Sequence, residues 1–146
     1  MSVLPSGATI TADRLVLTLP IPPSINHQYA TVNGRRILSA MGRGYKAEVG
    51  RQVLVALARS SYRDMLLRTI RTRALALTIR FYFASPARRD VDGGVKITQD
   101  AVAEALGIND NRIVELHVYK SPGSMQPRLE LSLSPSDLAP HDRKPI

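Results

Sequence analysis

The chain has 146 residues, about one domain, and its 44% hydrophobic content can bury a core, which excludes wholesale disorder. It has no cysteine, which excludes disulfides, thiolate zinc sites and Cys nucleophiles together. A net charge of +8 and a pI near 10.4 point to a polyanionic partner, whereas 5% aromatic content offers few rings to stack on unpaired bases.

Residues 1–13 read as a flexible N-terminal arm, with no charged start and apolar block of a signal peptide. No segment reaches the roughly 18 apolar residues that span a bilayer. Arg14–Leu19 reads as a strand that stops at Pro20, and the PIPPSIN segment after it is extended or turned because proline fixes φ. Asn33-Gly34 is a hairpin-turn dipeptide between Tyr29–Val32 and Arg36–Ser39. Gly44 to Ser60 reads as a helix with Val49, Val53, Ala56 and Leu57 on one stripe. Ser61–Arg73, with four arginines, is left open between a frayed helix end and a loop.

Ala74–Phe83 alternates with period two and is the strongest strand signal. A second helix is expected from Asp92 to Leu106, stopped by Gly107. Ile113–Lys120 and Arg128–Ser134 read as two more strands. Residues 135–146, with three prolines, read as a disordered tail, leaving 14–134 as the domain. The expected fold is α+β: a small mixed β-sheet with two helices packed on one face.

The 12 acids are few enough for their placement to carry information. Asp90 and Asp92 stand two apart, so they share a side of an extended segment but not of a helix. Two carboxylates on one side repel unless a cation lies between them, and hard oxygen donors suit Mg²⁺, with Mn²⁺ as a substitute. Gly93 and Gly94 let the backbone come close. Asp110 is a candidate third ligand, but it lies 18 residues past Asp92 (110 − 92), so the chain must fold back to bring it near. Lys96, four residues after Asp92, could hold a scissile phosphate, with Asp100 one turn further on. The alternatives are a simple N-cap for either acid and a surface pair for Lys96 and Asp100.

The stretch RRDVDGGVKITQDAVAEALGINDNRIVELHVYK resembles the core signature of the RusA family of Holliday junction resolvases, through Arg88, Arg89, Asp90, Asp92, Lys96, Asp100, Ala101, Gly107 and Asp110. LPIPPSINHQY is similar to the family's opening segment, with Pro22, Pro23, Ser24 and Asn26. The resemblance implies a RusA-like homodimer in the cytoplasm of a bacterium, cellular or prophage-encoded. It implies a Mg²⁺-dependent endonuclease that cuts opposing strands of a four-way junction symmetrically, in DNA recombination and repair. It also implies Asp90, Asp92 and Asp110 as metal ligands, Lys96 as the catalytic or phosphate-contacting base, and Asp100 as a supporting residue. Arg35, Arg36, Arg88, Arg89 and Lys96 are the expected DNA contacts.

Two residues depart from the family pattern: Gly93 stands where Asn is usual, and Asn109 where an acid is frequent. The rival reading is therefore a catalytically weak or inactive DNA-binding protein of the same fold. A structural or interaction protein, such as a dimeric assembly factor whose basic face meets an acidic partner, is a third. His27, beside Asn26, is a further residue near the opening motif; His117 and His141 carry no catalytic signal.

Overall fold

Leu15–Leu19, Leu75–Tyr82 and Arg128–Pro135 each alternate large apolar residues with smaller or polar ones, and in an extended chain that alternation gathers the apolar residues on one face. The computed structural model describes residues 7–85 and 93–138. In chain order its elements are β1 (Ala8–Ile10), β2 (Leu15–Leu19), α1 (Ile25–Gln28), β3 (Tyr29–Val32), β4 (Arg35–Leu38), α2 (Ala40–Arg59), α3 (Arg63–Thr72), β5 (Leu75–Tyr82), α4 (Val95–Leu106), β6 (Ile113–Ser121) and β7 (Arg128–Pro135). A single 3-10 turn, Asp110–Arg112, precedes β6.

Five strands form one mixed sheet in the order β1-β2-β7-β5-β6, while β3 and β4 form a separate hairpin. Neighbours pair antiparallel except β5 and β6, which are parallel and therefore need a crossover; α4 lies on it. Register stacks the core in rows across the sheet: Leu15, Leu133 and Leu77; Leu17, Leu131 and Ile79; Leu19, Leu129 and Phe81. Val49, Val53 and Leu57 of α2, Leu66 and Ile70 of α3, and Ile97, Val102 and Leu106 of α4 join these rows in one apolar cluster. The opposite sheet face is polar and half-exposed, with Arg128 stacked 4.0 Å over the Tyr82 ring and Arg80 4.5 Å over Tyr119.

The α+β class and the mixed sheet are as expected, but the helix count is not: four helices stand among the described residues rather than two. The arginine-rich stretch left open forms α3, because Leu66, Leu67 and Ile70 fall on one helical face and are buried while Arg63, Arg68 and Arg71 point outward. The short α1 begins within the proline-led segment read as extended or turned and runs two residues past it. Helix α2 starts at Ala40, four residues earlier than Gly44, because the Ser39 hydroxyl caps it by accepting from Gly42 N at 3.0 Å. At the edges, Ala8–Ile10 of the expected arm pairs with β2, and Pro135 of the expected tail belongs to β7. Ser136 beyond it is buried and its N–H donates to Ala74 O at 2.8 Å.

Candidate active site

Lys96 sits in the first turn of α4, where its spacing from Asp100 puts both on one face. Its Nζ donates to Asp100 Oδ2 at 3.2 Å and to Oδ1 at 3.4 Å. The hydrogen bond and charge of Asp100 hold the Lys96 ammonium above its ordinary pKa, with smaller contributions from Tyr29 and Asp110. The last of these bears on whether Asp110 folds back. Helix α4 ends at Gly107, whose left-handed φ of 67° and amide bonds to the carbonyls of Ala103 and Glu104 reverse the chain. The return then carries half-buried Asp110 within electrostatic reach of Lys96. The Asp110 backbone carbonyl accepts from Ile113 N, while its carboxylate makes no hydrogen bond or ion pair with another described residue.

The hairpin lies beside this group. Its turn residues Asn33 and Gly34 both have positive φ, 51° and 74°, as a two-residue turn of the expected type requires. Arg36 stacks over the Tyr29 ring at 4.4 Å, and Tyr29 in turn contributes to the field at Lys96. Arg35 and Arg36 are both exposed, as phosphate contacts must be. His27 is exposed too and its Nδ1 lies 2.7 Å from Ser24 Oγ.

Asp90, Asp92, Arg88 and Arg89 lie outside the described residues. Among the described residues no three metal-ligating side chains gather, and of the expected ligands only Asp110 is among them. The donor chemistry nonetheless fits Mg²⁺: the candidate set is carboxylate oxygen throughout, and Asp110 offers a carboxylate with no protein partner among the described residues. Three surface hollows, lined in part by Tyr62 and Arg68, by Lys46 and Glu104, and by Arg51 and Arg59, include neither Lys96 nor Asp110.

One residue in the neighbourhood gave no sequence signal. Gln28 is 1% exposed and its side-chain amide donates to Pro23 O at 2.8 Å and to Gly93 O at 2.7 Å. A glutamine between histidine and tyrosine in a proline-led segment has no periodicity to mark it as buried.

Comparison with known proteins gives the context for this geometry. A family model described as endodeoxyribonuclease RusA matches residues 20–134. The crossover junction endodeoxyribonuclease of Enterobacteria phage 82 is 31% identical over 119 residues, covering 81% of this chain and 92% of the relative. Crossover junction endodeoxyribonucleases of Escherichia coli K12 and Shigella sonnei Ss046 are each 29% identical over the same length and coverage. Among solved structures, the OmpA-like domain of FopA1 from Francisella tularensis subsp. tularensis SCHU S4 aligns at a TM-score of 0.29 and 18% identity, over 89% of this chain and 80% of that one, a likeness too low to indicate a shared fold.

Proposed function

This chain belongs to the RusA family of endodeoxyribonucleases, and on that premise we propose that it cleaves four-way DNA junctions by metal-assisted phosphodiester hydrolysis in bacterial recombination and repair. The observation that carries the reading to residues is the Lys96 ammonium, placed at the start of α4 four residues after Asp92 and within the field of Asp110. Asp90, Asp92 and Asp110 are the residues that would hold Mg²⁺. When bound, the ion supplies an activated water and charge neutralisation at the phosphate.

The chain's own residues do the rest. Lys96, kept protonated by Asp100, acts as a fixed cation for the scissile phosphate rather than as a proton acceptor, since a raised pKa takes it away from neutral pH. Asp100 orients Lys96 from one turn below. Arg35 and Arg36 on the exposed hairpin, with Arg88 and Arg89 ahead of the acids, grip backbone phosphates on either side. The net charge of +8 draws DNA to the whole surface.

Symmetric cutting of opposing strands calls for two sites, and the reading is a homodimer acting in the cytoplasm. Supporting it, β6 is a nine-residue edge strand with one neighbour among the described residues, and Val114, Leu116 and Tyr119 on it are exposed. An antiparallel edge pairing with its own copy is self-complementary about a twofold axis.

The test is cleavage of a labelled four-way junction against a matched linear duplex, with Mg²⁺ and with EDTA. Asp90→Asn, Asp92→Asn and Asp110→Asn are each expected to lower the cleavage rate by at least about 100-fold, in the range of losing one stabilising group. Junction affinity should be kept or tightened, because each substitution removes a negative charge from a DNA-facing surface. Normal cutting by these variants overturns the site. Junction that is bound but uncut by the parent protein in both Mg²⁺ and Mn²⁺ moves the reading to a DNA-binding protein of the same fold.

A further inference from the structure

Gly93 and Gly94, which follow Asp92, carry no side chain with which to hold themselves in place, yet the backbone around them is tightly fitted. A Cβ on Gly94 would lie 2.4 Å from Pro22 Cγ and 3.2 Å from the Phe81 ring, so the start of α4 is pressed between the proline-led segment and the sheet. Gly93 O, the first described carbonyl after Asp92, accepts from Gln28 Nε2 at 2.7 Å. The second N–H of the same amide goes to Pro23 O at 2.8 Å. Both donors of this buried side chain are therefore used, one locally and one across 65 residues of sequence.

Gln28 is itself immobilised from behind. Its backbone carbonyl accepts from Ser39 N at 2.9 Å, and a Cβ on Gly42 of α2 would come within 2.5 Å of that carbonyl oxygen. The Ser39 hydroxyl, which caps α2, also donates to His27 O. The amide that reaches Gly93 thus hangs from a backbone wedged against α2. At the other end of the stretch, Phe83 N donates to Ser121 O at 3.0 Å, tying the exit of β5 to β6.

We propose that Gln28 is a positioning residue: its amide anchors the Gly93 carbonyl, one peptide after Asp92 in the chain and at the entry to the helix that carries Lys96. This rests on the reading of Asp90 and Asp92 as metal ligands. A group that orients ligands without touching the ion commonly changes metal affinity by about 10- to 100-fold when removed. A buried amide that served only to fill space would not.

The experiment uses the full chain with Gln28→Met, which keeps the length and loses both donors. The Mg²⁺ concentration for half-maximal junction cleavage should rise about 10-fold, while junction affinity in EDTA stays within about 2-fold, since no phosphate contact is touched. In the metal-free protein, amide hydrogen exchange over Gly93–Lys96 should accelerate and that of β5 should not. Excess Mn²⁺ should recover the rate of Gln28→Met but not of Asp92→Asn. A Val53→Ala variant, destabilised in the core away from the segment, should leave the metal midpoint unmoved. If Gln28→Met does not fold, Gly94→Ala, which pushes α4 off Pro22, should give the same displaced midpoint and local exchange. Unchanged metal dependence and unchanged exchange in the folded variant overturn the proposal. Should Asp92→Asn cut like the parent, the ligand reading fails instead, and the exchange measurement still decides whether Gln28 anchors Gly93.

Discussion

Lys96 and Asp100 form an exposed pair that contributes little to stability as such. The significance of the pair is its place, at the start of α4 and beside Tyr29 and Asp110. Lys96→Met is expected to lower the turnover rate by about 100-fold with little change in junction affinity, and Lys96→Arg to recover part of it, since the role is a fixed positive charge. Single-turnover cleavage separates the two effects. Glu48 is a different case. Hydrogen bonds from Arg51, then Gln52, pull its carboxyl down to about 2 from 4.5. Because the folded pKa lies below the unfolded one, the small stabilisation is present above pH 4.5 and fades as pH falls toward 2. Comparing melting midpoints of the parent and Glu48→Gln should show a small gap at pH 6 that closes by about pH 2. Lys96, Asp100 and Asp110 stand out as candidates because charge is written in residue type and spacing, and the structure joins Lys96 to Asp100 as that spacing predicts. Gln28 does not, because its importance is a contact across 65 residues, which no local pattern encodes.

At the scale of elements, what was legible followed period. The alternation in β5 and the stripe in α2 predicted their burial, and Gly107 marked the end of α4. Helix α3 was obscured because its arginines dominate the composition, although Leu66, Leu67 and Ile70 supply the buried face that tertiary packing rewards. Ile70→Ala should therefore cost about 2–5 kcal/mol in denaturant unfolding, and Arg68→Ala less than about 0.5 kcal/mol. Equal effects would contradict the assigned faces. Helix α1 and strand β1 were illegible for another reason: both are only a turn or a few residues long and exist through their neighbours, α1 against α2 and β1 against β2.

For the whole molecule, the exposed edge of β6 is the feature that bears on assembly. Val114 and Leu116 point outward at 38% and 47% exposure from a strand with no second neighbour among the described residues. Leu116→Glu should convert a dimer to a monomer in sedimentation experiments, because it buries a charge at the centre of a paired edge. Paired nicking of a junction should fall with it. A variant that remains dimeric places the interface on another surface.

The sheet order also has a consequence for how the molecule is made. β7 is the last described strand in sequence, yet it lies between β2 and β5 near the middle of the sheet. A nascent chain that has not yet emerged past residue 128 holds two strand edges left unpaired by the missing β7 and two of the three residues of each core row, so the sheet closes only after β7 emerges. Before that closure, the partnership between Gln28 and Gly93 has no completed scaffold behind it. A nuclease built in this way completes its sheet only once β7 has emerged, and fragments released before that are liable to aggregate rather than to cut.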